Sequence, residues 1–344
     1  MRSLIIQTSF LGDMVLTTPL IRELAARGPV DVVATPANAA LLKHHPDVRH
    51  LFRYDKRGAH AGARGFRDLV RMAHAEHADD TAFLAQGSLR SAALAMAAGY
   101  SQRVGFETSA GRWLYTQRVP YHREHHHAER LWSLAGYGER ERPTADVLRP
   151  SLYPGPDDLD SVQRLLDVHA HAGEPLLAIA PGSTWATKRW PYYAALARRL
   201  TLLGRVVILG AESDAHLAQE IVAETFGSAI DATGKLSLLA SAAMIARATV
   251  LVTNDSAPLH LASASDTPTV ALFGPTVPAL GFGPLATARR VAEVPMLDCR
   301  PCDAHGPRSC PLSHWRCMRD LTVADVLDAV EVVRRTHGGD TPPA

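Results

Sequence analysis

The sequence alternates repeatedly between short apolar runs suited to strands and longer amphipathic runs suited to helices, and few folds accommodate that order. Residues 3–8 read as a strand, Ser9-Phe10-Leu11-Gly12-Asp13 as a loop, 14–27 as a helix stopped by Gly28-Pro29, and 30–34 as the next strand. That is a βαβ unit, and it predicts a parallel sheet. Further helix and strand candidates follow at 66–78, 82–85 and 90–98. The stretch 139–158, with Pro143, Pro150, Pro154, Gly155 and Pro156, reads as a linker. Beyond it lie a helix at 157–169 and strands at 176–180, 205–209, 229–232, 250–253 and 269–273. Helices at 191–203, 214–226, 237–247 and 258–265 separate those strands. Their apolar character without strict alternation suits a sheet buried on both faces. The expected fold class is α/β, with two doubly wound parallel-sheet domains at 1–150 and 151–344. The second includes a cysteine-rich segment at 299–317 and a closing helix near residues 322–336. Ligands in such folds bind beyond the carboxyl ends of the strands, so the loops there are the first candidates for chemistry.

Charge narrows the function classes. In 344 residues, 36 Lys and Arg face 35 Asp and Glu, which argues against nucleic-acid binding or a broad anionic surface as partner. No apolar run is long enough to span a bilayer, and residues 1–7 lack the pattern of a signal peptide, so a cytoplasmic protein is expected.

Four loops follow strands. Ser9-Phe10-Leu11-Gly12-Asp13 lacks the later glycines of a dinucleotide fingerprint. It sets a carboxylate at a helix start, either as an ordinary first-turn acid or as a base facing the cleft. Pro181-Gly182-Ser183-Thr184-Trp185-Ala186-Thr187-Lys188-Arg189-Trp190-Pro191 concentrates small, hydroxylated and basic residues that suit phosphate oxygens, without being a Walker loop. In Gly210-Ala211-Glu212-Ser213-Asp214, Asp214 reads as the helix cap and Glu212 as a candidate for ribose hydroxyls. Thr253-Asn254-Asp255-Ser256-Ala257-Pro258-Leu259-His260 sets a carboxylate and a hydroxyl before a Pro-initiated helix, an anion- or sugar-binding arrangement. A lone His at the position of His260 is more often structural.

Two other clusters stand out. Cys299, Cys302, Cys310 and Cys317, spaced C-x2-C-x7-C-x6-C, could hold a structural zinc or iron–sulfur centre, or pair as disulfides, with His305 and His314 as further ligands. The run His122-Arg123-Glu124-His125-His126-His127 tempts a metal assignment, but adjacent helical histidines diverge, so it reads mostly as a solvated face.

Together these loops resemble the family 9 glycosyltransferases, the ADP-heptose:lipopolysaccharide heptosyltransferases of the heptosyltransferase II type. The resemblance runs through Ser9-Phe10-Leu11-Gly12-Asp13 with Thr17-Thr18-Pro19, Arg103-Val104-Gly105-Phe106, Pro181-Gly182-Ser183 and Lys188-Arg189-Trp190-Pro191. It continues through Gly234-Lys235, residues 254–262, Ala271-Leu272-Phe273-Gly274-Pro275-Thr276 and Cys317-Met318-Arg319-Asp320-Leu321. It implies a GT-B fold, two Rossmann-like domains across a cleft, with the acceptor on the first and the nucleotide-sugar on the second.

The resemblance further implies Asp13 as catalytic base. Lys188, with Ser183, Thr184 and Thr187, would bind diphosphate, and Glu212 ribose. Asp255, Ser256, Ala257 and His260 would contact sugar and phosphate. Ala257 departs from the pattern, since many members carry Gly there and a Cβ limits close approach. On the acceptor side, Gly12, Gln86 and Arg90, with Ser88, Arg57 and Arg64, are weaker candidates for a phosphorylated, lipid-linked saccharide, whose nature implies a peripheral encounter with the inner membrane. An inverting transfer needs one base for the acceptor hydroxyl and positive charge on the departing diphosphate. No Asp-x-Asp motif is expected anywhere in the chain, which agrees with metal-independent stabilisation of the leaving group, so no cofactor is expected for catalysis. Two alternatives remain open at this stage. One is a GT-B enzyme with another nucleotide-sugar, such as a sugar epimerase; the other is a non-catalytic nucleotide-sugar-binding protein.

Overall fold

The structure is a computed structural model that describes residues 2–136, 142–169 and 173–338. The chain divides into two compact units, Met1–Tyr153 and Pro154–Ala344, each built on its own six-stranded parallel sheet.

In the first unit the elements run β1 (Ser3–Gln7), α1 (Leu11–Ala25), β2 (Val30–Ala34), α2 (Pro36–Leu41), β3 (His50–Arg53), α3 (Gly62–Met72) and β4 (Thr81–Leu84). They continue as α4 (Leu89–Ala97), β5 (Gln102–Phe106), β6 (Gln117–Val119), α5 (His127–Ser133) and α6 (Ala145–Leu148). The strand order is β3-β2-β1-β4-β5-β6, with Ser3 registered on Val30 and on Thr81. Every residue of β1, β2 and β4 is buried, as befits strands covered on both faces.

Helix α1 contains Pro19, which cannot donate to the carbonyl four residues back. The Thr18 hydroxyl donates to that carbonyl, Val15 O, at 2.8 Å, and Thr17 does the same for Asp13 O at 2.6 Å. The Thr-Thr-Pro sequence thus keeps the helix continuous and anchors the backbone of Asp13.

The second unit contains α7 (Pro156–His169), β7 (Leu176–Ala180), α8 (Tyr193–Leu200), β8 (Arg205–Ile208), α9 (Ala215–Glu224), β9 (Ile230–Asp231) and α10 (Leu238–Ala246). After these come β10 (Val250–Asn254), α11 (Ala257–Ser265), β11 (Thr269–Leu272), β12 (Arg289–Ala292), α12 (Arg316–Arg319) and α13 (Val323–Gly338). The order β12-β11-β10-β7-β8-β9 reproduces the first sheet's plan. Its core gathers Leu177, Ile179, Val206, Ile208, Val250 and Val252 against the helices.

The expected linker over 139–158 needs correction. Residues 139–141 lie outside the described set, but α6 falls within the stretch and belongs to the first unit. Leu148 is buried, Arg22 Nη2 donates to Val147 O at 2.6 Å, and Ser151 N donates to Thr18 Oγ1 at 2.9 Å. Proline-rich composition signalled a link, but the single turn between Pro143 and Pro150 buries an apolar side chain and packs beside α5.

Candidate active site

In a sheet of this order the crevice opens where the chain leaves the central strands in opposite directions. In the first unit that place lies between the loops after β1 and β4, which Thr8 and Gln86 join through Oγ1 and Oε1 at 3.4 Å. Asp13 sits there in the first turn of α1, where the helix dipole favours a carboxylate. The Ser9 hydroxyl lies 2.5 Å from Asp13 Oδ2 and 2.7 Å from Gln7 Oε1, and its single proton serves one of them at a time. Asn38 in α2 holds Ser9 by donating to its carbonyl at 3.0 Å. The other Asp13 oxygen, Oδ1, faces His127 Nε2 at 3.6 Å, and both side chains are largely shielded, with exposures of 16% and 13%.

His127 overturns the reading of the histidine run as a solvated helical face. Residues 122–126 precede the helix, His126 caps it by accepting from Ala128 N at 3.2 Å, and α5, packed on α1, starts at His127. Of the acceptor-side candidates, Gln86 and Gly12 lie at this crevice. Gln86 Oε1 is engaged by Ser91 Oγ at 2.7 Å, and Ser88 caps α4. Arg90 lies over the rings of Tyr54 and Phe66 at 5.3 and 5.9 Å. Gly12 is the second residue of α1, and Arg57 and Arg64 are exposed beside and within α3.

In the second unit the corresponding crevice lies between the loops after β7 and β10. Asn254, fully buried, ties them together by donating to Pro181 O at 2.8 Å and accepting from Trp190 N at 3.2 Å. Beside it Lys188 Nζ meets Asp255 Oδ2 at 2.6 Å, and Thr276 Oγ1 donates to the same oxygen at 2.7 Å. Lys188 and Asp255 are each 8% exposed. A cation and a carboxylate withdrawn from water are tolerable only when paired and hydrogen-bonded in this way.

The remaining residues of these loops divide into two groups. Ser183, Thr184 and Ser256 are open or half-open, and Ala257 opens α11 without needing positive φ, so its Cβ adds no backbone strain. Glu212 is exposed, next to Gly234, whose positive φ of 69° lets the chain pass close to it. Thr187, by contrast, is buried and donates to Pro307 O at 2.6 Å, and Arg189 turns back to Ser183 O at 3.0 Å. His260 is buried near the Phe282 ring. An Asp-x-Asp triplet does occur, Asp158-Leu159-Asp160, but it lies in α7, where Asp158 accepts from Gly155 N and Ser237 Oγ.

The cysteine segment forms a wall of this second crevice, which the sequence did not reveal. Arg300, almost wholly buried, donates to Phe273 O and Thr276 O at 3.1 and 2.8 Å, and Cys302 N donates to Pro275 O at 2.8 Å. A Cβ on Gly306, whose φ is 86°, would stand 3.1 Å from Lys188 Cε. All four thiols are free. Burial pushes Cys317 up to about 11 and also raises Cys302, whose neighbours Cys299 and Cys310 add to the effect. Burial would raise Cys310 too, but backbone N–H groups of Trp315, Leu312, His314 and Ser313 aimed at its sulfur outweigh that and hold it below the ordinary thiol range. His314 Nε2 lies 3.9 Å from Cys299 Sγ.

Comparison with known proteins agrees with this architecture. The model of glycosyltransferase family 9 (heptosyltransferase) matches residues 70–311. Lipopolysaccharide heptosyltransferase 2 of Salmonella typhimurium is 30% identical over 295 residues, 81% of this chain and 84% of that protein. Lipopolysaccharide heptosyltransferase 1 of Pseudomonas aeruginosa is 30% identical over 319 residues, 88% and 86% of the two chains. The solved structure of E. coli ADP-heptose lps heptosyltransferase II superposes with a TM-score of 0.77 at 26% identity, covering 98% of this chain and all of that one. Two sheets of the doubly wound plan, a shielded carboxylate in one crevice and a lysine–aspartate pair in the other thus meet a family match over most of the length: the chain belongs to glycosyltransferase family 9, the heptosyltransferases.

Proposed function

We propose that this enzyme is an inverting heptosyltransferase that moves a heptose from ADP-heptose to an inner-core saccharide of lipopolysaccharide, with Asp13 as the base. The observation that carries this reading is the setting of Asp13: a shielded carboxylate at a helix N-terminus, one oxygen against Ser9 and the other against His127. Such a group is held in one orientation and can take a proton from an acceptor hydroxyl as that oxygen attacks the anomeric carbon. The bond from that carbon to the diphosphate breaks as the new one forms, which inverts the centre. The electron pair leaves with ADP, and Asp13 later releases its proton to water.

Lys188 is the cation for the departing diphosphate, with Ser183, Thr184 and the start of α11 as donors. In the free protein Lys188 is neutralised by Asp255; as the diphosphate takes it over, Thr276 remains on the carboxylate. Glu212 is assigned to ribose, and Ser256, Ala257 and His260 to sugar and phosphate. Thr187 acts by fixing Pro307 rather than by touching ligand. The acceptor is a lipid-linked saccharide met at the inner membrane. Among the described residues no helix is long and apolar enough to cross a membrane.

The four cysteines suit a thiophilic divalent ion. The backbone turn over Cys310 favours a thiolate, and His314 stands beside Cys299. Cys299, Cys302, Cys310 and Cys317 would hold the ion as a structural tie, outside the transfer itself.

The test is acceptor-dependent ADP release by the wild type and Asp13→Asn, with ADP-heptose binding measured by calorimetry. Asp13→Asn is expected to bind the donor within about threefold of wild type and to lose turnover by at least a hundredfold. Retained turnover, or loss of donor binding in the folded variant, would contradict the role of Asp13. ADP release without acceptor would favour an epimerase-like reaction.

A further inference from the structure

The histidine run contains a second feature, apart from His127 and its neighbour Asp13. The backbone turns back at this point, with His125 N donating to His122 O at 3.2 Å. Buried Arg130 braces the turn from behind, donating to His122 O at 2.9 Å, to Arg123 O and to Tyr121 Oη.

On the outer side, His122 Nδ1 lies 3.2 Å from Glu124 Oε1, and His125 Nε2 lies 3.8 Å from the same oxygen. The two rings stack at 4.8 Å with 27° between their planes. One ligand atom from each of the three residues falls within 4.8 Å of the other two. Tetrahedral zinc with bonds of about 2.0–2.1 Å needs ligand separations of about 3.3 Å, so small side-chain rotations close this set.

A second observation gives the arrangement direction. The other nitrogen of His125, Nδ1, lies 3.3 Å from Glu129 Oε1. Glu129 is itself nearly buried and is gripped by Arg142 through bonds of 2.8 and 3.0 Å. A carboxylate on the far nitrogen of a histidine fixes the ring's tautomer and turns the lone pair of the near nitrogen outward, which is the usual support behind a metal-bound imidazole. Here that nitrogen stands 3.8 Å from Glu124 Oε1, which is also within hydrogen-bond distance of His122 Nδ1, a spacing that a cation between the three atoms would draw together.

We propose that His122, Glu124 and His125 form a binding site for a divalent transition ion of the zinc class, with Glu129 orienting His125. Two imidazoles and one carboxylate favour such an ion over calcium or magnesium, which take oxygen ligands. The fourth position is left to water, so the site is of the open, exchangeable kind. It uses none of the residues assigned to heptose transfer and stands or falls independently of that reading.

The test is a cobalt(II) titration of the full chain followed by absorption. Cobalt on the four cysteines carries thiolate charge-transfer bands, whereas cobalt on the turn shows ligand-field bands without them. We expect one equivalent of the second kind in the wild type. His122→Ala and His125→Ala each remove it while the thiolate bands stay unchanged, and Glu129→Gln weakens it by about 10–100-fold. Glu124→Gln, an exposed and nearly isosteric change, provides a variant whose folding is not at issue and is expected to weaken binding at least tenfold. If all bound cobalt carries thiolate bands, or if His125→Ala and Glu124→Gln titrate like the wild type, the proposal is wrong.

Discussion

The Lys188–Asp255 pair allows a stabilising role to be separated from a ligand-binding one. Replacing Lys188 with Met leaves a carboxylate that is 8% exposed without its cation. Breaking a buried pair from one side costs about 3–5 kcal/mol. The Thr276 hydroxyl, 2.7 Å away, still donates to the carboxylate, which keeps the loss near the lower end, about 3 kcal/mol. For a unit the size of Pro154–Ala344 that corresponds to a fall in Tm of roughly 6–12 °C. Adding Asp255→Asn removes the stranded charge while leaving an acceptor for Thr276, so the double variant regains stability to within about 1 kcal/mol of wild type. ADP binding is expected not to return with it, because the cation proposed for the diphosphate is still missing. Scanning calorimetry reads the first effect and isothermal titration with ADP the second. A single variant that melts within about 2 °C of wild type, or a double variant no more stable than the single one, would refute the account of the pair as buried and mutually dependent. A double variant that binds ADP like the wild type would refute the assignment of Lys188.

His45 is buried against the Tyr153 ring, and burial lowers its pKa from 6.5 to about 4. The folded state therefore favours neutral imidazole: its contribution is complete above pH 6.5 and is lost as pH falls toward 4. The loss is roughly 3 kcal/mol, seen as a fall in Tm that His45→Phe flattens. Thr187→Val removes the bond to Pro307 O and is expected to cost about 1 kcal/mol in urea unfolding, with ADP affinity unchanged within threefold; a tenfold loss of affinity would return Thr187 to the ligand. In metal-free protein, timed alkylation followed by mass spectrometry should label Cys310 first and Cys317 last, because backbone donors favour the thiolate of one and burial disfavours that of the other. The reverse order would contradict the backbone turn over Cys310.

The residues that sequence located best are those fixed by local rules. Asp13 follows a strand and opens a helix, and Asp255 stands at the end of a strand before a Pro-initiated helix; order and spacing place both at crevice mouths. The two parallel sheets were legible for the same reason, since buried strands and intervening helices leave few alternatives. Residues whose positions depend on distant packing were not legible. His127 lies within a polar run with no periodicity and reaches Asp13 only because α5, far along the chain, packs on α1. Thr276 meets Asp255 across 21 residues, and Pro307 meets Thr187 across 120. Nor does composition reveal that a proline-rich stretch ends in a buried Leu148.

The strand order also bears on how each crevice comes into being. The central strand of each sheet is laid down first, but the partner that completes the crevice is the fourth strand of the unit. Thr8 must wait 78 residues for Gln86, and Pro181 waits 73 for Asn254. Closing such long loops costs chain entropy before any contact rewards it, and it slows folding. During synthesis, β1, β2 and β3 can pair while the crevice beside Asp13 does not yet exist, and the same holds for β7, β8 and β9 and the crevice beside Lys188. Each binding crevice is therefore completed late in the folding of its unit, when the carboxylate and the lysine acquire the neighbours that define them.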